Sequence, residues 1–325
     1  MKTTPVAIAA TMIISVGVSL RPAPASAAEP RPFNDYVLAA VRSLEQSQYA
    51  HKGYDPHAAF THDLAYADQC CVTHTPAPPR PPLVPLTMCV AAVEEVILTA
   101  LQTYYAENPS ARLAALQKAP LGLWDKGTPH SLKANLFIYD GTGSRGTGDT
   151  LERFGMGKEK HFSDLKAGDF INLNRRHSGH AVVFLAYLDA TDTETNTYSP
   201  SVIGFKYFSS QGQGKPPPAS GLGYRWAYFE DHACPVRGPT DQNRPRDCGI
   251  IRSDKLSLLD GGTLYYPEDW DVADALKKMR DHTRSVLSTQ HPDLRGVQLE
   301  GAVDSYIGKE LPEPDPAKYR EDTTD

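Results

Sequence analysis

The order of hydrophobic patterns in this chain predicts an α+β fold. Residues 89–106 repeat apolar side chains at helical spacing, with Val90, Val93, Ile97, Leu101 and Tyr104 on one stripe. Residues 170–174, 180–187, 202–208 and 224–229 are short apolar runs rich in β-branched and aromatic side chains, which is the composition of strands. A helix followed by gathered strands is the order of an α+β domain rather than of alternating βαβ units.

Lys2 and the terminal amine form a short positive region, residues 6–20 are apolar, and Ala25-Ser26-Ala27 is a small-residue cleavage site. Residues 1–27 are therefore expected to be a removed signal peptide. The apolar run is shorter than the ~20 residues a membrane span needs, and Arg21 ends it. The mature chain is expected in the periplasm or outside the cell, without stable membrane insertion. Next, residues 32–47 read as an amphipathic helix with Phe33, Val37, Val41 and Leu44 on one face. The proline-dense residues 75–85 exclude regular structure and form an extended connector.

In an oxidising compartment, five cysteines cannot all pair internally. Cys70 and Cys71 are adjacent, and Cys234 and Cys248 flank a loop rich in Pro, Arg and Asp. A local Cys234–Cys248 bridge is favoured, and crossed links from Cys70 and Cys71 stay open because bridging neighbours is strained. In either scheme Cys89 keeps its thiol. Thr87 can cap the helix, which places Cys89 in the first turn. The helix dipole and the first-turn N–H groups stabilise a thiolate there, and the same N–H groups can bind an oxyanion.

A polar turn at 162–169 leads to the first strand, and a loop at 175–179 leads to His180 at the mouth of the second. Gly179 lets a backbone or a substrate come close. His177 and His232 compete for the role of base, but His177 is flanked by Arg175 and Arg176 in a solvated loop and lacks a strand to hold it, so His180 leads. A nucleophilic thiol with an imidazole base needs a third group to orient the ring. The third strand ends in Ser209-Ser210-Gln211, with Gln211 preferred to Ser209 and Asp169 a further candidate. Tyr54 and Tyr66 are possible oxyanion donors.

The segment Leu165-Lys-Ala-Gly-Asp169, then Ser178-Gly-His180-Ala-Val-Val-Phe-Leu185, downstream of a helix-opening cysteine, resembles NlpC-type papain-like cysteine peptidases and amidases of bacterial cell walls. The resemblance covers roughly residues 85–208. It implies Cys89 as nucleophile, His180 as base and a polar third residue on the following strand. It also implies a papain-like fold in which the cysteine helix packs on a small antiparallel sheet. Such peptidases commonly carry Asp or Asn before the cysteine and Ser-Gly after it. Here Met88 precedes it and Val90-Ala91 follow, and the segment 109–160 lengthens the separation from His180.

Residues 141–148 are glycine-rich but lack the Gly-Lys-Ser/Thr ending of a phosphate loop, so they read as a flexible loop beside the cleft. Tyr224 and Arg225 follow a Gly/Pro loop. They either wall a substrate groove, with Arg225 meeting carboxylates, or belong to a last strand whose aromatics fill the core. A further helix is expected at 268–288. The expected organisation is an N-terminal helix and connector over 28–84, a catalytic core over 85–232, an extension with a disulfide loop and helix over 233–308, and a disordered tail over 309–325. A net charge of −6 disfavours nucleic acid as a partner. His177 and His180, like His57 and His62, lack zinc-site spacing, so neither a metal nor another cofactor is expected. The function expected is hydrolysis of an amide bond in peptidoglycan peptides. Acyl transfer by the same residues and a catalytically inactive cell-envelope binding module are the alternatives.

Overall fold

The computed structural model describes residues 29–55, 64–66, 69–72, 87–120, 122–174, 179–211, 220–235 and 244–314. The expected signal peptide, the proline-dense connector at 75–85, His57, His62 and His177 lie outside these residues.

Helix α1 (Asn34–Glu45) buries Val37, Ala40, Val41 and Leu44. It packs against α2 (Cys89–Glu107), whose start and end agree with the apolar pattern. The expected single stripe on α2 is too narrow, because Ala91, Ala92, Val96 and Leu98 are buried as well as the predicted positions. The physical reason is position: α2 lies between α1 and the sheet, so both of its sides are covered. Pro109 follows the end of this helix and opens the next, α3 (Pro109–Lys118), at the position where a missing N–H costs nothing. Three short helices fill the insert: α4 (Gly122–Asp125), α5 (Leu132–Leu136) and α6 (Thr147–Arg153).

Strands β1 (Leu64–Tyr66) and β2 (Gln69–Val72) form an antiparallel pair of their own. The main sheet contains β3 (Gly157–Lys160), β4 (Phe170–Asn174), β5 (Gly179–Leu188), β6 (Glu194–Thr195), β7 (Gly204–Gln211), β8 (Gly221–Phe229), β9 (Arg246–Ile250) and β10 (Leu259–Leu264). Its order is β3-β10-β4-β5-β7-β8-β9, with β6 pairing β5, and every pair is antiparallel except β8 with β9.

This overturns the expected papain-like, NlpC-type fold with its small antiparallel sheet: the class is α+β, but the sheet is a single mixed one of eight strands. Two strands from the part of the chain beyond residue 233 enlarge it. Strand β10 inserts between β3 and β4, and its two glycines make room. A Cβ at Gly261 would lie 2.6 Å from the Lys160 carbonyl oxygen, and one at Gly262 would lie 2.4 Å from the Gly148 Cα. Strand β9 joins the opposite edge in parallel and is tied back by the Cys234–Cys248 disulfide, the bridge the sequence favours. With that bridge formed, crossed links to Cys70 and Cys71 are ruled out; the side chains of those two residues lie outside the description.

Both faces of the sheet are covered, which explains why its strands read as continuous apolar runs. Phe170, Ala181, Val183, Phe208 and Leu222 face the helical layer. Ile171, Leu173, Val182, Phe184, Phe205, Tyr207 and Phe229 build a second core, into which Phe162 packs edge-on to Tyr187 and Phe229. Helices α7 (Val272–Gln290) and α8 (Val297–Ile307) form a hairpin joined by Arg280 and Arg284 to Glu300. Beyond it the chain turns back, and the Leu311 N–H donates to the Gly127 carbonyl at 2.7 Å.

Candidate active site

The nucleophile candidate is set by the start of α2. Met88, rather than the expected Thr87, occupies the N-cap, with extended backbone and no side-chain cap of its own. Thr87 is held through its carbonyl, which accepts from the Ser210 hydroxyl at 2.9 Å and from the Asp55 N–H at 3.3 Å. The Ala92 N–H is the donor to the Met88 carbonyl, at 2.8 Å. The N–H groups of the first turn, that of Cys89 among them, thus have no acceptor within the helix.

His180 is the second residue of β5 and pairs with Leu173 on β4. Its neighbours Asn172 and Ala181 also pair, and the hairpin ends at Asn174 opposite Gly179. At this end of the hairpin, residues of both strands line one cleft of about 190 Å³. Cys89 lines it from α2, and Asn172, Leu173, His180 and Ala181 line it from β4 and β5; Ala181 belongs to the core on the helical side of the sheet and Leu173 to the second core. Gly179 adds no side chain, and Val90, Phe137, Ile138 and Pro314 supply apolar walls. Ile138 holds φ at +52°, a left-handed conformation that is strained for a β-branched residue and is characteristic of functional rims. Cys89 and His180, the two residues singled out in the sequence, thus line one cleft.

The imidazole has an aromatic neighbour that the sequence reading missed. The Tyr207 ring meets His180 edge-to-face, with centroids 5.6 Å apart. Its hydroxyl bonds the Asp247 carboxylate at 2.8 Å and the Gln211 side chain. A phenol has one proton, so it donates to Asp247 and the Gln211 amide donates to it, an orientation that an amide flip permits. Gln211 is thus linked to His180 through Tyr207. Ser209 is not part of this group: its hydroxyl donates to the Ala181 carbonyl at 2.7 Å.

Other sequence candidates fall elsewhere. Asp169 is buried and bound by Lys160 at 2.8 Å, by the Lys166 N–H at 2.8 Å and by Asn34 at 2.9 Å. Arg225 lies opposite Tyr207 in the sheet and donates to the Tyr224 carbonyl at 3.1 Å, buried and away from the cleft lining. Tyr224 packs against Phe208, so the core reading fits this pair and the groove reading does not. Tyr54 bridges Thr87 outside the lining, the side chain of Tyr66 is outside the description, and His232 sits in the turn after β8.

Arg145, in the glycine-rich loop, does reach the cleft. Its guanidinium pairs with Glu159 at 2.7 Å and Asp149 at 2.9 Å, and the Glu159 bond raises its pKa further. Among the described residues, no group of three or more His, Cys, Asp or Glu side chains is gathered as a metal ion would need, and no helix is long and apolar enough to cross a membrane.

No protein-family model, curated protein or solved structure matches this chain.

Proposed function

We propose that the protein is an exported bacterial cysteine hydrolase that cleaves an amide bond in peptidoglycan peptides. The observation that carries the reading is the shared cleft: a thiol at the N-terminus of a long helix and an imidazole at the mouth of a strand line the same narrow space. Cys89 Sγ attacks the carbonyl carbon while His180 takes the thiol proton. The tetrahedral oxyanion forms beside the first-turn N–H groups of α2. Collapse breaks the C–N bond, His180 returns the proton to the leaving amine, and water then releases the acyl group from sulfur. Tyr207, fixed by Asp247 and Gln211, acts as a positioning residue for the imidazole. The short apolar run at residues 6–20 supports export, and the residues quoted for the cell-wall resemblance support the substrate class.

The test is digestion of purified peptidoglycan by the wild type beside Cys89→Ala and His180→Ala, with released fragments identified by mass. New fragments from the wild type alone are expected. The same fragments from Cys89→Ala would remove the nucleophile assignment, and none from any protein would remove the substrate.

A further inference from the structure

We infer that the side-chain amide of Asn172 is the oxyanion donor of this cleft, an inference that rests on Cys89 acting as the nucleophile. Asn172 sits on β4 beside the Leu173–His180 pair, so one strand ladder fixes its spacing from the base. Its orientation is decided by a neighbour that can only donate. The Thr147 N–H lies 2.7 Å from Asn172 Oδ1, which must therefore be the oxygen, and the NH2 group is turned the other way. Asn172 lines the cleft together with Cys89 and His180 and is otherwise buried, only 6% exposed.

The surroundings are shaped for this pose. A Cβ on Gly146 would lie 2.3 Å from Asn172 Cγ, so only glycine at 146 lets the amide dock against the start of α6. The remaining polar side chains of the cleft are committed elsewhere: Cys89 and His180 to bond making and proton transfer, and Arg145 to Asp149 and Glu159. A neutral, preoriented amide on a residue that lines the same cleft as Cys89 is the kind of donor that stabilises a charge present only in the transition state. Such a donor touches the reacting oxygen, which makes Asn172 a catalytic residue rather than a packing one.

Asn172→Asp separates the two roles, since it keeps the oxygen that accepts from Thr147 and loses the NH2 donor. The assay compares two probes of Cys89 as limiting rates at high pH, where any shift of the thiol pKa cancels. Acylation by p-nitrophenyl acetate passes through an oxyanion, whereas alkylation by iodoacetamide does not. Expected for Asn172→Asp and Asn172→Ala is an acylation rate lower by about 10²- to 10³-fold, with alkylation unchanged within about twofold. Gly146→Ala, which displaces the amide without removing it, should lower acylation in the same selective way. Equal losses in both rates, or no loss in either, would overturn the assignment to Asn172 while leaving Cys89 as nucleophile. A wild type whose acylation equals that of Cys89→Ala would instead overturn the proposed function, and the inference with it.

Discussion

Replacing Glu94 by Gln should remove a large pH dependence from the stability of this fold. Glu94 lies on α2 between layers, 1% exposed, and its Oε1 has no hydrogen-bond partner among the described residues. Burial raises its pKa from the ordinary 4.5 to about 8, and the partly offsetting attraction comes from Lys133, whose ammonium is 3.4 Å from Glu313. The folded state therefore holds a proton that the unfolded chain has already released between pH 4.5 and about 8. Stability is greatest below that window and falls as pH rises through it, by about 1.4 kcal/mol per pH unit. From pH 5 to pH 7.5 the loss is ~3 kcal/mol. Glutamine cannot ionise and keeps the shape, so Glu94→Gln should escape that loss whatever fixed cost its amide brings. Urea unfolding of both proteins at the two pH values isolates the effect, because every other titrating group is common to both. The variant should gain ~3 kcal/mol on the wild type between pH 5 and 7.5. Parallel profiles would mean that Glu94 is ionised and fully compensated in the folded protein, and would refute the reasoning.

Tyr207→Phe removes one donor from the buried Asp247 carboxylate and should lower unfolding free energy by about 1–3 kcal/mol. If Tyr207 positions His180, the same variant lowers kcat with little change in KM, whereas a purely structural role would leave kcat alone. The Cys234–Cys248 bridge closes a loop with a sequence separation of 14, so the double serine variant should lose roughly 3 kcal/mol in urea unfolding. An unchanged midpoint would show that β9 is held without it. Gly148→Ala would set a Cβ 2.2 Å from the Gly261 carbonyl oxygen, backbone that cannot swing away. Soluble yield should collapse, or stability fall by at least about 3 kcal/mol. Gly301→Ala on α8, where nothing lies within 4 Å, is its control and should gain about 0.5–1 kcal/mol by helix propensity.

The parts of this molecule legible in the sequence are those encoded locally. Cys89 begins a helix whose period is visible, His180 follows a glycine at the start of an apolar run, and Cys234 and Cys248 enclose their own loop. Strand β10 was not legible, because its Asp260, Gly261 and Gly262 erase alternation, and its place between β3 and β4 is decided by close backbone approach. Strand β9 pairs in parallel with β8, a register that no adjacent turn announces. The second layer over α2 hid behind one obvious stripe, although Ala91, Ala92 and Ala100 were a sign of close packing on the far side. Tyr224 and Arg225 were ambiguous because sequence does not say which face of a strand meets a core when both do. Asn172 has a signal of its own in the sequence: a polar side chain in the middle of a strand otherwise buried on both faces.

The two halves of the cleft come from opposite sides of the sheet, so their alignment needs an element that touches both. Strand β7 is that element. Tyr207, on the face of the second core, meets the His180 ring; Ser210, three residues on and so on the face of the helical layer, binds the Thr87 carbonyl just before Cys89. Because successive side chains of a strand alternate between faces, the distance between thiol and imidazole is referred to one rigid backbone rather than to two loops. In the β5–β7 ladder Val183 faces Phe208 and Phe184 faces Tyr207, and the register shifts just beyond them, between Phe184 and Ala186. A one-residue slip in that ladder would exchange the two faces and send Tyr207 toward α2 and Ser210 toward His180. The aromatic packing of Phe184, Phe205 and Tyr207 on one side and of Val183 and Phe208 on the other resists such a slip, so the sheet's two cores hold the site in register as well as holding the fold together.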